Sequence, residues 1–332
     1  MSDYKPPFEM TETIANLTAE IAELAGEISV YEGLTTNPKL RRENRIRTIH
    51  SSLAIEQNTL SLDQVTDVID GKRVLGPPKD IREVKNAYEA YENVSDMDPC
   101  DLASLLYAHR LMMKGLVKEA GQFRSRNVGV FYGDRLIHAG TPVKYVPELM
   151  NQLMTWLKKS GYHPLVKSCI FHYEFEFIHP FADGNGRTGR LWQSLILQKW
   201  NDIFAWLPVA TLVHENKAGY YKALLKADNA GDSTEFVEFM LGLIRDALKE
   251  LSENQKDSGN RSIPESVVTN VAANEDRILC LLKDNGKLTA GQIAETIGLS
   301  QRRVQRILAK LKAGQRIIRH GASKNGYWEV KE

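Results

Sequence analysis

His179, Asp183, Arg187 and Arg190 fall inside one short stretch, HPFADGNGRTGRLW at 179–192, interleaved with Gly184, Asn185, Gly186, Thr188 and Gly189. Each residue type suits the handling of phosphate. Glycines let main-chain N–H groups turn inward and approach an anion closely. A helix beginning near Thr188 and Gly189 would add the partial positive charge of its N-terminus. Arg187 and Arg190 are three apart, so both can lie on one helical face and fork onto phosphate oxygens. Asp183 at the loop entrance offers a hard oxygen ligand for Mg²⁺, which bridges phosphates while keeping waters. A histidine such as His179 can take up a proton near neutral pH. Base, metal ligand, amide cradle and two arginines together suit phosphoryl or nucleotidyl transfer.

Two commoner phosphate motifs compete for this loop. Gly184, Gly186 and Gly189 spell G-x-G-x-x-G, and Asp202 follows near where a dinucleotide fold places its ribose-binding acid. That fold needs a strand before the loop. FHYEFEF at 171–177 alternates like a strand, yet Val166, Ile170, Tyr173 and Phe177 repeat at helical spacing, so periodicity alone does not decide. The chain shows no repeated strand–helix–strand units, and a parallel sheet would have no other strands. Gly189 then completes a coincidental fingerprint. A Walker loop requires lysine followed by a hydroxyl, where this loop carries Arg187 and Arg190.

The elements that must position these residues read mostly as helices. Leu17, Ile21, Leu24, Ile28 and Tyr31 mark the first; Asp63 would cap a short one through Val65, Val68 and Ile69, ended by Gly71. Helices are expected near 80–93, from Leu102 to Met112, and at 147–159, 164–178, 188–200, 217–228 and 234–251. VGVFYGDRLIHAGTPV, around Gly133-Asp134, suggests a small hairpin. Residues 252–272 are polar and broken, as in a linker. Beyond it, EDRILCLLKDNG, a Thr289/Gln292 capping box and a helix capped by Ser300 precede RIIRHGASKNGYWEV, a strand–turn–strand. Three helices and a hairpin make the winged-helix pattern.

The bulk numbers bound the rest. The chain has 332 residues, 42% apolar and 26% charged, enough for about two globular domains. A net charge of +1 argues against a general polyanion binder and makes any basic face local. The 3 cysteines, Cys100, Cys169 and Cys280, are widely spaced, without the pattern of a disulfide framework or zinc site. No apolar stretch reads as a signal peptide or membrane span, so a soluble cytoplasmic protein is expected.

HPFADGNGRTGR matches H-x-F-x-D-G-N-G-R-x-x-R at every fixed position, and the chain thereby resembles the Fic family. Gly121-Gln-Phe-Arg124, VPELM at 146–150 and YYKALLKADNAGD at 220–232 look similar too. The resemblance implies a mainly α fold: a Fic-type helical bundle with a hairpin flap at 128–143, and a C-terminal winged helix. It implies an N-terminal region over 1–95, a catalytic core over 96–251 and the winged helix over 273–332. It implies transfer of AMP from ATP to a Ser, Thr or Tyr hydroxyl of a target protein or of the chain itself. His179 would be the general base and Asp183 the Mg²⁺ ligand. Gly184, Asn185 and Gly186 would form the anion hole, with Asn185 near the α-phosphate. Arg187, Thr188, Gly189 and Arg190 would complete the ATP site, Arg190 at the γ-phosphate. Phe181 would anchor the loop, and Tyr221 and Asn229 would line the adenine pocket, although core packing explains Tyr221 equally well. The flap would dock the target as an added strand. A homodimer is also implied.

The family's inhibitory motif, [S/T]-x-x-x-E-[G/N], resembles SSLAIEQN at 51–58, with Ser52 and Glu56, and departs at Gln57. By that resemblance Glu56 would pair with Arg190 and occupy the γ-phosphate position. In the C-terminal module, Leu299 to Gly326 holds 8 basic residues and no acidic one. Arg302, Arg303 and Arg306 lie early in the recognition helix and Lys324 on the wing, which suits DNA binding; protein binding is the alternative. Two further readings of the whole remain: a nucleotide-sensing DNA-binding transcriptional regulator, and a transferase using another nucleotide donor, since nothing in the loop selects adenine.

Overall fold

The computed structural model describes residues 4–29, 38–132, 135–139, 141–205, 207, 209–257, 278–297, 301–314, 316–320 and 326–331. The chain divides into two compact units, Met1–Pro264 and Glu265–Glu332. Residues 1–95 and 96–251, which the sequence separates, both belong to the first. No helix among the described residues is long and apolar enough to cross a membrane.

The first unit is helical apart from one hairpin. Its helices are α1 (Glu12–Ser29), α2 (Pro38–Ile55), α3 (Leu62–Ile69), α4 (Pro78–Asn93) and α5 (Leu102–Met113); then come β1 (Gly129–Tyr132) and β2 (Arg135–Ala139). They are followed by α6 (Val146–Lys159), α7 (Pro164–Ile178), α8 (Asn185–Trp200), α9 (Val209–Glu215), α10 (Lys217–Ala230) and α11 (Thr234–Asp257). The centre is α7, which packs against α6, α8 and α11. Leu165, Val166, Cys169, Ile170, Phe171, Tyr173, Phe175 and Ile178 are all buried, on every side of the helix. A helix buried all round loses its amphipathic stripe, which is why FHYEFEF also reads as a strand. Packing decides in favour of helix.

Several local expectations are corrected. Ser61, not Asp63, caps α3: its Oγ accepts the Gln64 N–H while Gln64 Oε1 accepts the Ser61 N–H, and Asp63 stands in the first turn. Asp in a first turn favours the helix dipole from there as well as from the cap. The helix expected at 188–200 begins at Asn185. α11 continues to Asp257, into the segment read as linker, because Leu248, Leu251 and Ser252 are buried. Tyr31 and the turn Gly133-Asp134 lie outside the described residues.

The second unit has a helix at 278–284, then α12 (Ala290–Ile297), α13 (Gln301–Ala313), β3 (Ile317–His320) and β4 (Tyr327–Val330). Thr289 and Gln292 form the expected capping box. Ile278, Leu282, Ile293, Val304, Leu308, Leu311 and Ile317 make one apolar core. β3 and β4 pair antiparallel, with Arg319 opposite Trp328 and its guanidinium 4.8 Å from the Trp328 ring. This is the three-helix-and-wing arrangement the sequence implied. Ser300 and Lys324 lie outside the described residues, as do the side chains of Arg302, Arg303 and Arg306 on α13.

Candidate active site at the start of α8

The α7–α8 connection is built by two left-handed residues. His179 ends α7 with φ 50° and ψ 60°, and its N–H donates to the Phe175 carbonyl. Pro180 follows and disfavours α geometry at the residue before it, so the helix stops there. Gly184, with φ 83°, turns the chain into α8. A β-carbon at that position would also overlap the Met113 Sδ, so glycine is required twice over.

Between these turns, the loop is held from below. Asn185 Oδ1 accepts the Phe181 N–H and its Nδ2 donates to the Phe181 carbonyl, both at 2.9 Å. Asn185, expected near the α-phosphate, uses its side chain to fix the loop. Phe181 is fully buried and stacks on His109 at 3.6 Å between ring centroids. His109 Nδ1 accepts the Gly121 N–H at 2.9 Å, so its Nε2 carries the proton and donates to the Asp183 carbonyl at 3.0 Å. Burial pushes the His109 pKa down to about 4, against the pull of that carbonyl bond, and Arg187 adds to the lowering. Arg124 clamps the other side, donating to the carbonyls of His179 (2.7 Å), Arg126 (2.8 Å) and Thr141.

What remains of the loop offers main-chain N–H groups at the start of α8, where an anion could be held. Thr188 N–H makes the first turn's bond, to the Gly184 carbonyl. The N–H groups of Asn185, Gly186 and Arg187 thus have no carbonyl four residues back to meet. Of the expected Gly184-Asn185-Gly186 amides, the Gly184 N–H donates to Asp183 Oδ1 at 2.6 Å, and those of Asn185 and Gly186 are among the N–H groups without an intrahelical carbonyl. Thr188 is fully buried, and Gly189 packs against Phe175 and Glu176 of α7, where a β-carbon would be crowded. Gly189 thus lets α8 pass close to α7. His179 is half-buried; its Nδ1 lies 3.3 Å from the Glu176 carbonyl, which places the proton on Nδ1 and makes Nε2 the basic nitrogen.

Both arginines are buried and already paired. Arg190 Nη2 donates to Glu56 Oε1 at 2.8 Å and to the Ser52 carbonyl at 2.9 Å, and its Nε to Ser52 Oγ at 3.1 Å. Burial opposes its charge, but Glu56, Tyr220 and Glu176 outweigh that and raise its pKa. Glu56 sits so close to the cradle that a β-carbon on Gly186 would overlap its carboxylate. Arg187 Nη2 donates to Asp183 Oδ1 at 2.8 Å and Nη1 to Glu83 Oε1 at 3.0 Å. The end of α2, which delivers Glu56, is tied down by Lys217 Nζ on the Ile55 carbonyl at 2.8 Å.

Around Arg190 the interior is polar and buried. His172 Nε2 and the Tyr220 hydroxyl lie 2.8 Å apart, and burial, then the charge of Arg190, lower the His172 pKa to about 3. Burial raises Glu176 to about 7, with Arg190 pulling it down and Glu56 pushing it up. Tyr221 is half-buried, with Lys217 Nζ 6.0 Å from its ring centroid, and Asn229 is exposed on the same helix, α10. The strands β1 and β2 pair antiparallel over Gly129–Ala139, with a register shift between Val130 and Phe131.

Among the described residues, no cluster of three or more His, Cys, Asp or Glu could hold a metal. Asp183 is an exposed single carboxylate. That donor set fits Mg²⁺ carried in on phosphates, with water completing the shell, and does not fit a resident zinc or iron. Sequence reasoning missed Glu83, Asn58 and His109. Glu83 in PKDIREVK reads as one more charge on a solvated face, and His109 as a histidine within an apolar helix.

The Fic/DOC family model matches residues 99–197, and the winged helix-turn-helix DNA-binding model residues 275–317. A Fic family protein from Desulfovibrio desulfuricans G20 is 46% identical, with a TM-score of 0.73 over 99% of this chain and 98% of that one. Protein adenylyltransferase fic-1 of Caenorhabditis elegans is 29% identical over 265 residues, 73% of this chain and 49% of that protein. Protein adenylyltransferase Fic of Aedes aegypti is 31% identical over 220 residues, 62% of this chain and 42% of that protein. The chain spans about half the length of the curated relatives it matches. The structure of Fic-1 from C. elegans, 24% identical with a TM-score of 0.61 over 74% of each chain, shares the fold.

Proposed function

Since this chain belongs to the Fic/DOC family, we propose that it transfers AMP from ATP to a hydroxyl of a protein, and that Glu56 restrains the reaction. The observation that carries the proposal is the convergence of His179, Asp183 and the 185–187 N–H groups at one helix start. In the reaction, the target oxygen bonds to the α-phosphorus, the bond to the β-phosphate oxygen breaks and pyrophosphate leaves. His179 Nε2 takes the hydroxyl proton. The cradle amides and the α8 N-terminus stabilise the negative charge that builds on the phosphate oxygens. Arg187 and Arg190 grip the outer phosphates. Asp183 would hold Mg²⁺, which would neutralise charge between the α- and β-phosphates. Tyr221 and Asn229 would line the adenine pocket, and β1–β2 would align the target chain.

Glu56 restrains this site by occupancy. Its carboxylate holds Arg190 and lies against Gly186, where a terminal phosphate would need both. ATP then binds with its α-phosphate displaced from His179. The test is intact mass after incubation with each nucleoside triphosphate and Mg²⁺. Glu56→Gly is expected to gain one AMP per chain or to label an added target, at least about tenfold faster than wild type; loss of base catalysis in Glu56→Gly/His179→Ala should slow it about 10²–10⁴-fold. Equal labelling of wild type and Glu56→Gly overturns the restraint, and a mass gain only with another triphosphate replaces AMP as the transferred group. Sedimentation of the same samples tests the homodimer.

The winged helix supports a second reading, a DNA-binding regulator whose Fic unit senses nucleotide. It is carried by the match over 275–317 and by the basic run containing Arg302, Arg303, Arg306 and Lys324. Phosphate contacts would dominate, so binding should weaken steeply with salt. A gel shift with duplex DNA tests it: no complex at low salt removes it.

A further inference from the structure

Glu83 is a buried carboxylate that the transfer chemistry does not use, and it joins two parts of the site. It projects from the first half of α4 and is 5% exposed. Its Oε1 accepts from Arg187 Nη1 at 3.0 Å; its Oε2 accepts from Asn58 Nδ2 at 2.8 Å. Lys79 Nζ, on the surface, stands 3.9 Å away. Arg187 then reaches Asp183 Oδ1 with its other terminal nitrogen, at 2.8 Å. A continuous chain therefore runs Asn58–Glu83–Arg187–Asp183. It begins two residues after Glu56 and ends on the carboxylate proposed to meet the metal.

Charge decides what this chain does. Asp183 and Arg187 alone cancel, and a neutral pair has little attraction for a divalent cation. Glu83 restores one negative charge to the group from a buried position, and the exposed Lys79 ammonium, 3.9 Å away and screened by solvent, offsets it only weakly. It also fixes the guanidinium from behind, so that Arg187 touches Asp183 through one nitrogen and one oxygen rather than by a closed bidentate fork. We propose that Glu83 is a positioning residue that sets divalent-cation affinity at Asp183 by holding Arg187 and balancing its charge, and that Asn58 ties this setting to the turn carrying Glu56. Partners that orient a metal ligand from outside the coordination shell commonly change affinity by about 10–100-fold when removed.

The biological meaning rests on the AMP-transfer reading, but its measurement does not. The full chain carrying Glu56→Gly is titrated with Mn²⁺, read by electron paramagnetic resonance, in the presence of an ATP analogue with a methylene between the α- and β-phosphorus. No turnover is needed. Adding Glu83→Gln should raise the Mn²⁺ half-saturation about tenfold, while affinity for the analogue at saturating Mn²⁺ changes less than about twofold. Glu83→Asp, which keeps the charge but draws it back, should shift in the same direction by less, and it serves if the glutamine variant does not fold. Asn58→Ala should give a shift smaller than that of Glu83→Gln. Unchanged half-saturation in folded Glu83→Gln and Glu83→Asp overturns the proposal, as does a parent that takes up no Mn²⁺ with the analogue. Labelling from α-labelled ATP is measured separately: its absence in the Glu56→Gly parent would defeat the transfer reading while leaving the metal titration informative.

Discussion

Arg187 and Arg190 leave α8 one turn apart and both end on carboxylates, yet the two pairs are built differently. Arg187 and Glu83 are both dry, with side chains 4% and 6% exposed, and Glu83 comes from the body of a helix. Arg190 is as deeply buried, at 2%, but its partner Glu56 is 33% exposed and stands one residue beyond the end of α2. In one pair both charged groups are buried. The other can open by displacing a helix end. The difference assigns permanence to the first and removability to the second, although both use the same chemistry.

Stability should separate them most strongly. Glu83→Ala leaves Arg187 buried with only Asp183 to answer its charge, and breaking a buried pair in this way costs about 3–5 kcal/mol. Glu56→Ala should cost about 1 kcal/mol, since Glu56 is partly solvated and Arg190 keeps both Ser52 bonds. Urea unfolding of the two variants against wild type measures this. Equal losses would break the comparison.

Each arginine also has a buried neutral histidine nearby, His109 on the Arg187 side and His172 on the Arg190 side. His109 has its pKa lowered to about 4 from 6.5. The unfolded chain therefore takes up a proton near pH 6.5 while the folded one refuses it. Stability attributable to His109 is full above pH 6.5 and is lost as pH falls towards 4, by up to about 3 kcal/mol. Glu174 and Glu176, both raised to about 7 by burial, act with the opposite sign over pH 7 to 4.5. The whole protein's profile mixes these, so a difference is needed. Wild type and His109→Gln should be furthest apart at pH 7 and converge by pH 4; a gap that stays constant would mean that His109 takes up its proton in the fold as readily as in the unfolded chain.

Much of this was legible in the sequence, for identifiable reasons. The 179–190 loop announced itself because its glycines, arginines and histidine serve local geometry within twelve residues. The winged helix was legible because its apolar residues fall at regular spacing around a small core. Glu56 opposite Arg190 could be named only through a family resemblance, since 134 residues separate them. Glu83 opposite Arg187, 104 residues apart, had no such guide. Burial of a charge depends on which helices pack together, and nothing local to PKDIREVK reveals it. The start of α8 was misplaced by three residues for a related reason: Gly184 and Asn185 look like loop until Phe181 gives the Asn185 amide both of its partners.

The departure of Gln57 from the family's Gly or Asn now has a physical meaning. Gln57 adopts φ 68°, left-handed backbone just beyond the end of α2. Its N–H donates to the Ala54 carbonyl and the Asn58 N–H to Leu53, closing the helix end that presents Glu56. Glycine enters that region at no steric cost, and asparagine at less cost than glutamine. Gln57 therefore holds the removable pair under a small strain that the fixed pair lacks. Gln57→Asn should relieve it without adding the unfolded-state freedom of glycine, raising stability by up to about 1 kcal/mol. The same substitution should lower wild-type labelling, because a steadier turn holds Glu56 on Arg190 for more of the time. A double-mutant cycle with Glu56→Gly separates the two effects. The stability gain should persist when Glu56 is gone, whereas the loss of labelling should vanish. If labelling falls equally in both backgrounds, the turn acts on catalysis by some route other than the Glu56–Arg190 pair.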